Sequence, residues 1–311
     1  MPCLNTGIAV SLLVGMQLIG SGGFAQQSDA ARAAAAKANV NGPNNLPGES
    51  NHPRIEFFQP DPLDFNQHEG YVSLFDGKTL DGWDGDPKFW RVQDGAIVGE
   101  TSQQTPISNT YISYPGLKAK DFTLKLEIKV EKGGGSGIQY RSSTGHRWIR
   151  KANLIPSNLN WLMTGPQADF WYPVTPLAAS FTGQFYTENT CGWQAAGSGI
   201  GQPRSCPLGI LAWRGQVVAS SATQKPRLMG IIGDRDALGG YVKVNDWNQY
   251  TIIARGGVFI HIVNGQLMAV YVDDDPNSLS NQPGTVGIEL EQVPTKVSVR
   301  NIWIQKLDKS E

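Results

Sequence analysis

Cysteine, histidine and charge are all scarce in this chain, and each scarcity removes a class of function. The cysteines are Cys3, Cys191 and Cys206, and the histidines are His52, His68, His146 and His261. They are too scattered to give the paired spacing of a zinc site. Charged residues make up 17% of the chain, with 26 Lys and Arg against 27 Asp and Glu. So even a balance offers no concentrated basic patch, and neither nucleic acid nor an anionic membrane surface is an expected partner. No Gly-x-Ser-x-Gly elbow is present, and no phosphate-cradling glycine loop. Beyond residue 25 no apolar run is long enough to cross a bilayer, so no membrane span is expected in the mature chain.

What the chain has in quantity is turn chemistry. Glycine (36) and proline (19) punctuate short alternating runs, the pattern of an all-β protein. In the stretch 121–141, Phe122, Leu124, Leu126, Ile128 and Val130 alternate with Thr123, Lys125, Glu127 and Lys129. One face of that strand is therefore apolar and the other polar. The run Gly133-Gly134-Gly135-Ser136-Gly137 then bends the chain, and Gln139 and Arg141 follow. This order places the Glu127 carboxylate, the Gln139 amide and the Arg141 guanidinium on one sheet as a candidate site. Asp94-Gly95 and Asn264-Gly265, each between β-prone runs, predict two-residue hairpins. The apolar phase shifts at Arg300-Asn301, which predicts a bulge or a strand buried on both faces. About a dozen strands and no core helix suit a jelly-roll sandwich of two antiparallel sheets with long loops. Between 142 and 242 the strands shorten and aromatic residues crowd the loops, which are expected to wall a pocket.

Residues 1–25 carry no charged side chain, and Gly23-Phe24-Ala25 has the small residues of a signal-peptidase site. They are read as a signal peptide, with export to a periplasmic or extracellular location. An uncleaved anchor is the alternative, but the glycine-rich break at 20–23 leaves it marginal in length. Residues 26–66 read as an Ala-rich and then Pro/Asn-rich linker, and 67–308 as the folded domain. In an exported chain Cys191 and Cys206 are expected to pair as a disulfide closing a short loop, worth ~3 kcal/mol in the chain-entropy model. In a reducing compartment they would be free thiols.

A series of motifs then adds a family. They are Leu74-Phe75-Asp76-Gly77-Lys78-Thr79-Leu80-Asp81-Gly82-Trp83, Trp90-Arg91-Val92-Gln93-Asp94-Gly95, Gly135-Ser136-Gly137-Ile138-Gln139-Tyr140-Arg141, Gln167-Ala168-Asp169, Thr182-Gly183-Gln184-Phe185-Tyr186 and Val297-Ser298-Val299-Arg300-Asn301-Ile302. In this order they resemble the 3-keto-disaccharide hydrolase family, which is built on a concanavalin A-like sandwich. The chain departs from that pattern at Gly135, where the family commonly has Asn, and at Glu289-Leu290-Glu291, where it often has Gln-x-His. The resemblance implies cleavage of a glycoside whose C3 hydroxyl is already a ketone. That ketone acidifies the C2 proton, so a base, an acid for the leaving oxygen and an oxyanion stabiliser would suffice. A non-catalytic carbohydrate-binding sandwich is the alternative on the same framework.

The carboxylates chosen for catalysis are Glu127, Asp169 and Glu289, with Glu100 and Glu188 behind them. Gln139, Gln167 and Arg141 are taken as substrate-binding, Arg141 through its fixed donor fork. Trp148 and Trp171 are taken as stacking platforms. Each has a structural alternative. Glu127 alternates with lysines and fits a solvated face, Glu289 fits a charged edge, and Arg141 fits an ion pair. His261, between Ile260 and Ile262, reads as a satisfied core histidine. No cofactor is required by the sequence. A divalent cation such as calcium on Asp273, Asp274 and Asp275 is possible, although a charged hairpin end explains the same residues.

Overall fold

The structure, a computed structural model, describes residues 60–61, 64–102, 109–145, 159–188, 209–291 and 294–307. Most of the expected leader and linker, and with them Trp148, Cys191 and Cys206, lie outside the described residues.

Sixteen strands are described. They are β1 (Val72–Ser73), β2 (Trp90–Gln93), β3 (Ala96–Glu100), β4 (Thr110–Ser113), β5 (Phe122–Lys132), β6 (Gly135–Thr144), β7 (Met163–Trp171), β8 (Phe185–Glu188), β9 (Gly209–Ala212), β10 (Gln216–Ser220), β11 (Arg227–Ile231), β12 (Asn248–Arg255), β13 (Val258–Val263), β14 (Gln266–Asp273), β15 (Thr285–Leu290) and β16 (Lys296–Lys306). Two short helices, α1 (Pro176–Ala179) and α2 (Arg235–Gly239), interrupt them. The strands form two sheets. The larger has the order β11-β10-β14-β13-β12-β5-β16-β3-β2, with β1 also on β16, and the smaller has the order β4-β15-β6-β7-β8-β9. Fold class is therefore the all-β, concanavalin-like sandwich expected. Pairing is antiparallel except that β10 lies parallel to β14.

The core is the apolar side of each strand turned toward the other sheet. From β5 come Phe122, Leu124, Leu126 and Ile128, and from β6 Ile138 and Tyr140, all buried. Tyr140, Phe185, Tyr250, Phe259, His261 and Tyr271 form a continuous aromatic layer between the sheets. A fully buried large apolar side chain contributes roughly 1.5–3 kcal/mol, so this layer adds substantially to the cohesion of the sandwich. Within it His261 bonds the Tyr140 hydroxyl at 2.8 Å and the Gln184 carbonyl at 3.1 Å. It is the satisfied core histidine that its sequence neighbours predicted.

The hairpin signals translate directly into backbone. Asp94 and Gly95 have φ of 53° and 74°, and Asn264 and Gly265 have 51° and 78°, the left-handed pair that a tight β-turn needs. At the predicted irregularity, Asn301 has φ 51° and the β16–β5 register shifts between Arg300 and Trp303.

The glycine run after β5 behaves differently from the expectation. It does not fold β6 back onto β5. Instead β5 pairs with β12 and β16 in the larger sheet, while β6 pairs with β15 and β7 in the smaller one. Gly133, at φ 54°, makes this crossing, and a Cβ there would meet the Pro294 carbonyl oxygen at 2.6 Å. Strands that flank a turn in sequence thus belong to opposite layers. That separates Glu127 from Gln139.

Candidate functional site

The outward face of the smaller sheet carries a buried polar cluster. On β7, Gln167 and Asp169 are two residues apart and so share a face. Across the β6–β7 pair Gln167 stands opposite Gln139, and Asp169 opposite Gly137. Glu289 comes from β15, where it pairs with Tyr111 of β4. Gly137 is what lets these strands communicate. It has no side chain, and a Cβ there would collide with the Gln167 amide, which lies across it.

Gln167 Nε2 donates to Asp169 Oδ1 at 2.7 Å and to Glu289 Oε2 at 2.7 Å. The two carboxylate oxygens are therefore no farther apart than two such bonds laid end to end. Glu289 Oε1 accepts from Asn109 Nδ2 at 2.6 Å and from the Tyr111 hydroxyl at 2.8 Å. Asp169 Oδ2 accepts from Gln184 Nε2. Gln139 Nε2 donates to Gln167 Oε1 at 2.6 Å, and Ser142 Oγ donates to Gln139 Oε1 at 2.6 Å. This chain of bonds fixes which way each amide points. Glu188, opposite Gly165 on β8, is also buried on this face.

Burial governs the electrostatics. Asp169 is 3% exposed and Glu289 1%. Loss of solvent pushes the Asp169 carboxyl well above the usual carboxylate range, against the pull of the Gln184 bond, and the Glu289 charge adds to the rise. The Tyr111 phenol is likewise raised, by burial first and then by the charges of Glu289 and Glu188.

The other sequence candidates lie elsewhere. Glu127 stands on the outer face of the larger sheet, opposite Arg300. It accepts from Arg300 Nε at 2.8 Å and from Asn301 Nδ2 at 2.6 Å. Arg300 in turn stacks 4.0 Å from the Trp247 ring. Glu100 pairs with Arg91 at 2.8 Å and Lys132 at 2.9 Å on a partly exposed rim. Neither joins the Asp169–Glu289 cluster.

Arg141 is displaced for a backbone reason. Its φ is 47°, and the β6–β7 register shifts between Gln139 and Ser143, so its side chain leaves the face that Gln139 occupies. The guanidinium lies 4.9 Å over Phe259. It donates to the carbonyls of Lys120, Gly256 and Ser280, to Asn281 Oδ1 and to Asp121 Oδ1. It clasps loops together at the end of the sandwich, in place of the substrate-binding role its donor fork suggested.

Trp171 ends β7 on the same face as Asp169, its indole lying where a Cβ on Gly135 would otherwise stand. Phe181 packs edge-on against it at 5.1 Å, and Trp213 continues the stack at 6.0 Å. Phe170 and Phe185, by contrast, belong to the core. The aspartates considered for calcium serve a turn: Asp273 Oδ1 accepts from the Asp275 amide at 3.1 Å, and Asp275 Oδ1 from the Asn277 amide at 2.9 Å. Among the described residues no group of three or more His, Cys, Asp or Glu side chains is arranged to hold a metal ion. Tyr111, Asn109 and Gln184 are members of the cluster that sequence reasoning did not single out. The alternation in Thr110–Ser113 marks a strand but cannot say that it borders Glu289.

Known proteins resemble this chain to differing extents. A 3-keto-disaccharide hydrolase of Bacteroides thetaiotaomicron is 38% identical over 82 residues, 23% of this chain and 27% of that protein. The matched stretch is thus about a quarter of that relative's length. Among solved structures, a Parabacteroides distasonis protein described only as a candidate glycosyl hydrolase has 19% identity and a TM-score of 0.42, covering 77% of this chain and 95% of its own. A Bacillus subtilis protein of unknown function with a galectin-like fold has 10% identity and a TM-score of 0.45, covering 73% and 90%. Likeness at this level says nothing about chemistry. The 3-keto-alpha-glucoside-1,2-lyase-like domain, however, matches residues 70–305, nearly the whole described sandwich. The chain belongs to that family.

Proposed function

We propose that this protein is an exported enzyme that cleaves 3-keto-glycosides by removing the C2 proton and expelling the C1 oxygen. The observation that carries the reading is the Asp169–Gln167–Glu289 bridge. Two buried carboxylates share one amide donor on one face, in a chain of the 3-keto-alpha-glucoside-1,2-lyase-like family.

The roles follow from the environments. Glu289 gathers donors from Asn109, Tyr111 and Gln167, an acceptor set matched to a carboxylate. It is the base for the C2 proton. Asp169, whose carboxyl burial pushes well above the usual carboxylate range, is the acid for the leaving oxygen. The C2–H electrons form the C2=C3 bond of an enolate, with its charge on the C3 oxygen. When that charge returns, the C1–O bond breaks and the leaving oxygen takes the Asp169 proton. The ring is left with a C1=C2 double bond conjugated to the ketone, and addition of water at C1 completes a net hydrolysis. With Arg141 engaged in clasping loops, the enolate charge is assigned to the second N–H of the Gln139 and Gln184 amides, whose first N–H serves the cluster.

The test is to incubate the purified protein with a 3-keto-glucoside in D₂O. Release of the aglycone with deuterium at C2 is expected. Release without deuterium would point to direct hydrolysis and overturn the proton-abstraction step. Sugar binding without turnover would favour the carbohydrate-binding sandwich instead.

A further inference from the structure

Beside the carboxylate pair lies a cleft that no role above uses. It has a volume of about 270 Å³ and opens between the end of β7, α1 and α2. Trp171, Pro173 and Pro176 form one wall, Val242 and Val244 another, and Arg214 and Asp236 supply its charge. Trp171 is two residues from Asp169 on the same strand face, so their backbones are roughly 6–7 Å apart along β7.

Arg214 is the unusual member. Its side chain is 3% exposed, yet no carboxylate neutralises it by direct contact among the described residues. Nε donates to the Arg235 carbonyl at 2.7 Å, and Nη1 to the carbonyls of Ala179 at 2.8 Å and Thr182 at 3.0 Å. These bonds fix the guanidinium plane and, among the described residues, give Nη2 no acceptor. Nη2 sits beside Gly239, where a Cβ would crowd it. A buried cation held by carbonyls, with one edge unspent in a cleft, is a donor waiting for a ligand oxygen.

The lining decides the class of ligand. An anion would meet Arg214 favourably, but the Asp236 carboxylate lines the same cleft and Asp234 is near enough to act on the guanidinium. A neutral polyol meets no such conflict, because its hydroxyls accept from Arg214 and donate to Asp236. Indole and proline rings match the C–H face of a sugar ring. The volume lies below that of a drug-sized pocket, which suits one ring. We infer that this cleft is a subsite for a single neutral pyranose, the leaving-group ring of a disaccharide whose oxidised ring lies over Asp169 and Glu289. This inference rests on the proposed cleavage for its placement, but not for the binding itself.

Val244 is half-exposed on the rim, so Val244→Trp fills the cleft from outside with little risk to folding, and thermal melting checks that it folds. The first measurement is saturation-transfer NMR with D-glucose and with D-glucuronate, using the full chain. Glucose signals are expected in the wild type, at least tenfold weaker in V244W, and stronger than those of glucuronate. Absence of any V244W-sensitive glucose signal, or a preference for glucuronate, overturns the subsite whether or not the enzyme turns over. The second measurement compares kcat/KM for a 3-keto-disaccharide and a methyl 3-keto-glucoside. In V244W the disaccharide value is expected to fall at least tenfold more than the methyl glucoside value. Equal falls would place the ring elsewhere. Failure of both substrates in the wild type would count against the proposed reaction, and the NMR result would still decide the subsite.

Discussion

Asp169 and Glu289, brought from strands that are not neighbours, are joined through one nitrogen, the Nε2 of Gln167. The empty position that makes the join possible is Gly137, the residue between them on β6. Removing either acid should therefore be costly to turnover. Asp169→Asn and Glu289→Gln keep the shape of the cluster and are expected to lower kcat/KM on a 3-keto-glucoside by ~100-fold or more. Retention of full turnover in both variants would exclude this cluster as the site.

Glu127 provides the contrast. Its carboxylate is committed to Arg300 and Asn301 on the other sheet, and a partly exposed pair of this kind is worth about 0–1 kcal/mol. Glu127→Gln is expected to leave kcat/KM within about threefold of the wild type. The same assay, run beside the Asp169 and Glu289 variants, checks it.

Gly137→Ala tests the bridge without touching an ionisable group. The new Cβ would displace the Gln167 amide, breaking the link between the two acids. The expected result is a strong loss of turnover with a stability loss of about 1–3 kcal/mol, as for other overpacked sites. Denaturant melts and kinetics on the same preparation separate the two effects.

Two buried groups give opposite pH limbs. His261 is held neutral by burial, its pKa lowered to about 4. Between pH 6.5 and 4 the unfolded chain takes up a proton that the folded one refuses, so acid should cost stability in that window, by roughly 3 kcal/mol at most. Asp169 is shifted upward. Above the ordinary carboxylate range the unfolded chain ionises while the fold still holds the proton, so stability drains as pH rises toward the folded value. In Tm against pH, His261→Gln is expected to flatten the acid limb and Asp169→Asn the limb above it.

Arg141→Ala removes donors from several loop carbonyls and from Asp121. Loss of a buried charged network of this size is expected to destabilise by about 3 kcal/mol or more. The KM of the remaining folded enzyme should not move. A selective rise in KM would instead return Arg141 to the binding site.

Several of these relationships are legible in the sequence alone. The pairing of Gln167 with Asp169 on one face follows from strand periodicity. The left-handed turns at Asp94-Gly95 and Asn264-Gly265 follow from the residues that tolerate positive φ. The disturbance at Arg300-Asn301 showed in the changed phase of Val297, Val299, Ile302 and Ile304. The glycine run after β5 announced a sharp bend but not its destination, because a turn between two strands looks alike whether they pair or part. For that reason the sequence puts Glu127 with Gln139 and Arg141, while the fold puts β5 and β6 in opposite layers.

Local alternation, turn composition and the ordered motifs were enough to determine an all-β sandwich and the family to which it belongs, since each depends on neighbours within a few residues. Sheet membership is a different kind of quantity. It is set by which long-range pairing buries the apolar faces best, and no window along the chain contains both partners. Only the tertiary structure could decide that Glu289 lies beside Tyr111 and is bridged to Asp169, that Glu127 faces Arg300 on the opposite layer, and that Arg141 turns away from Gln139 at a left-handed residue.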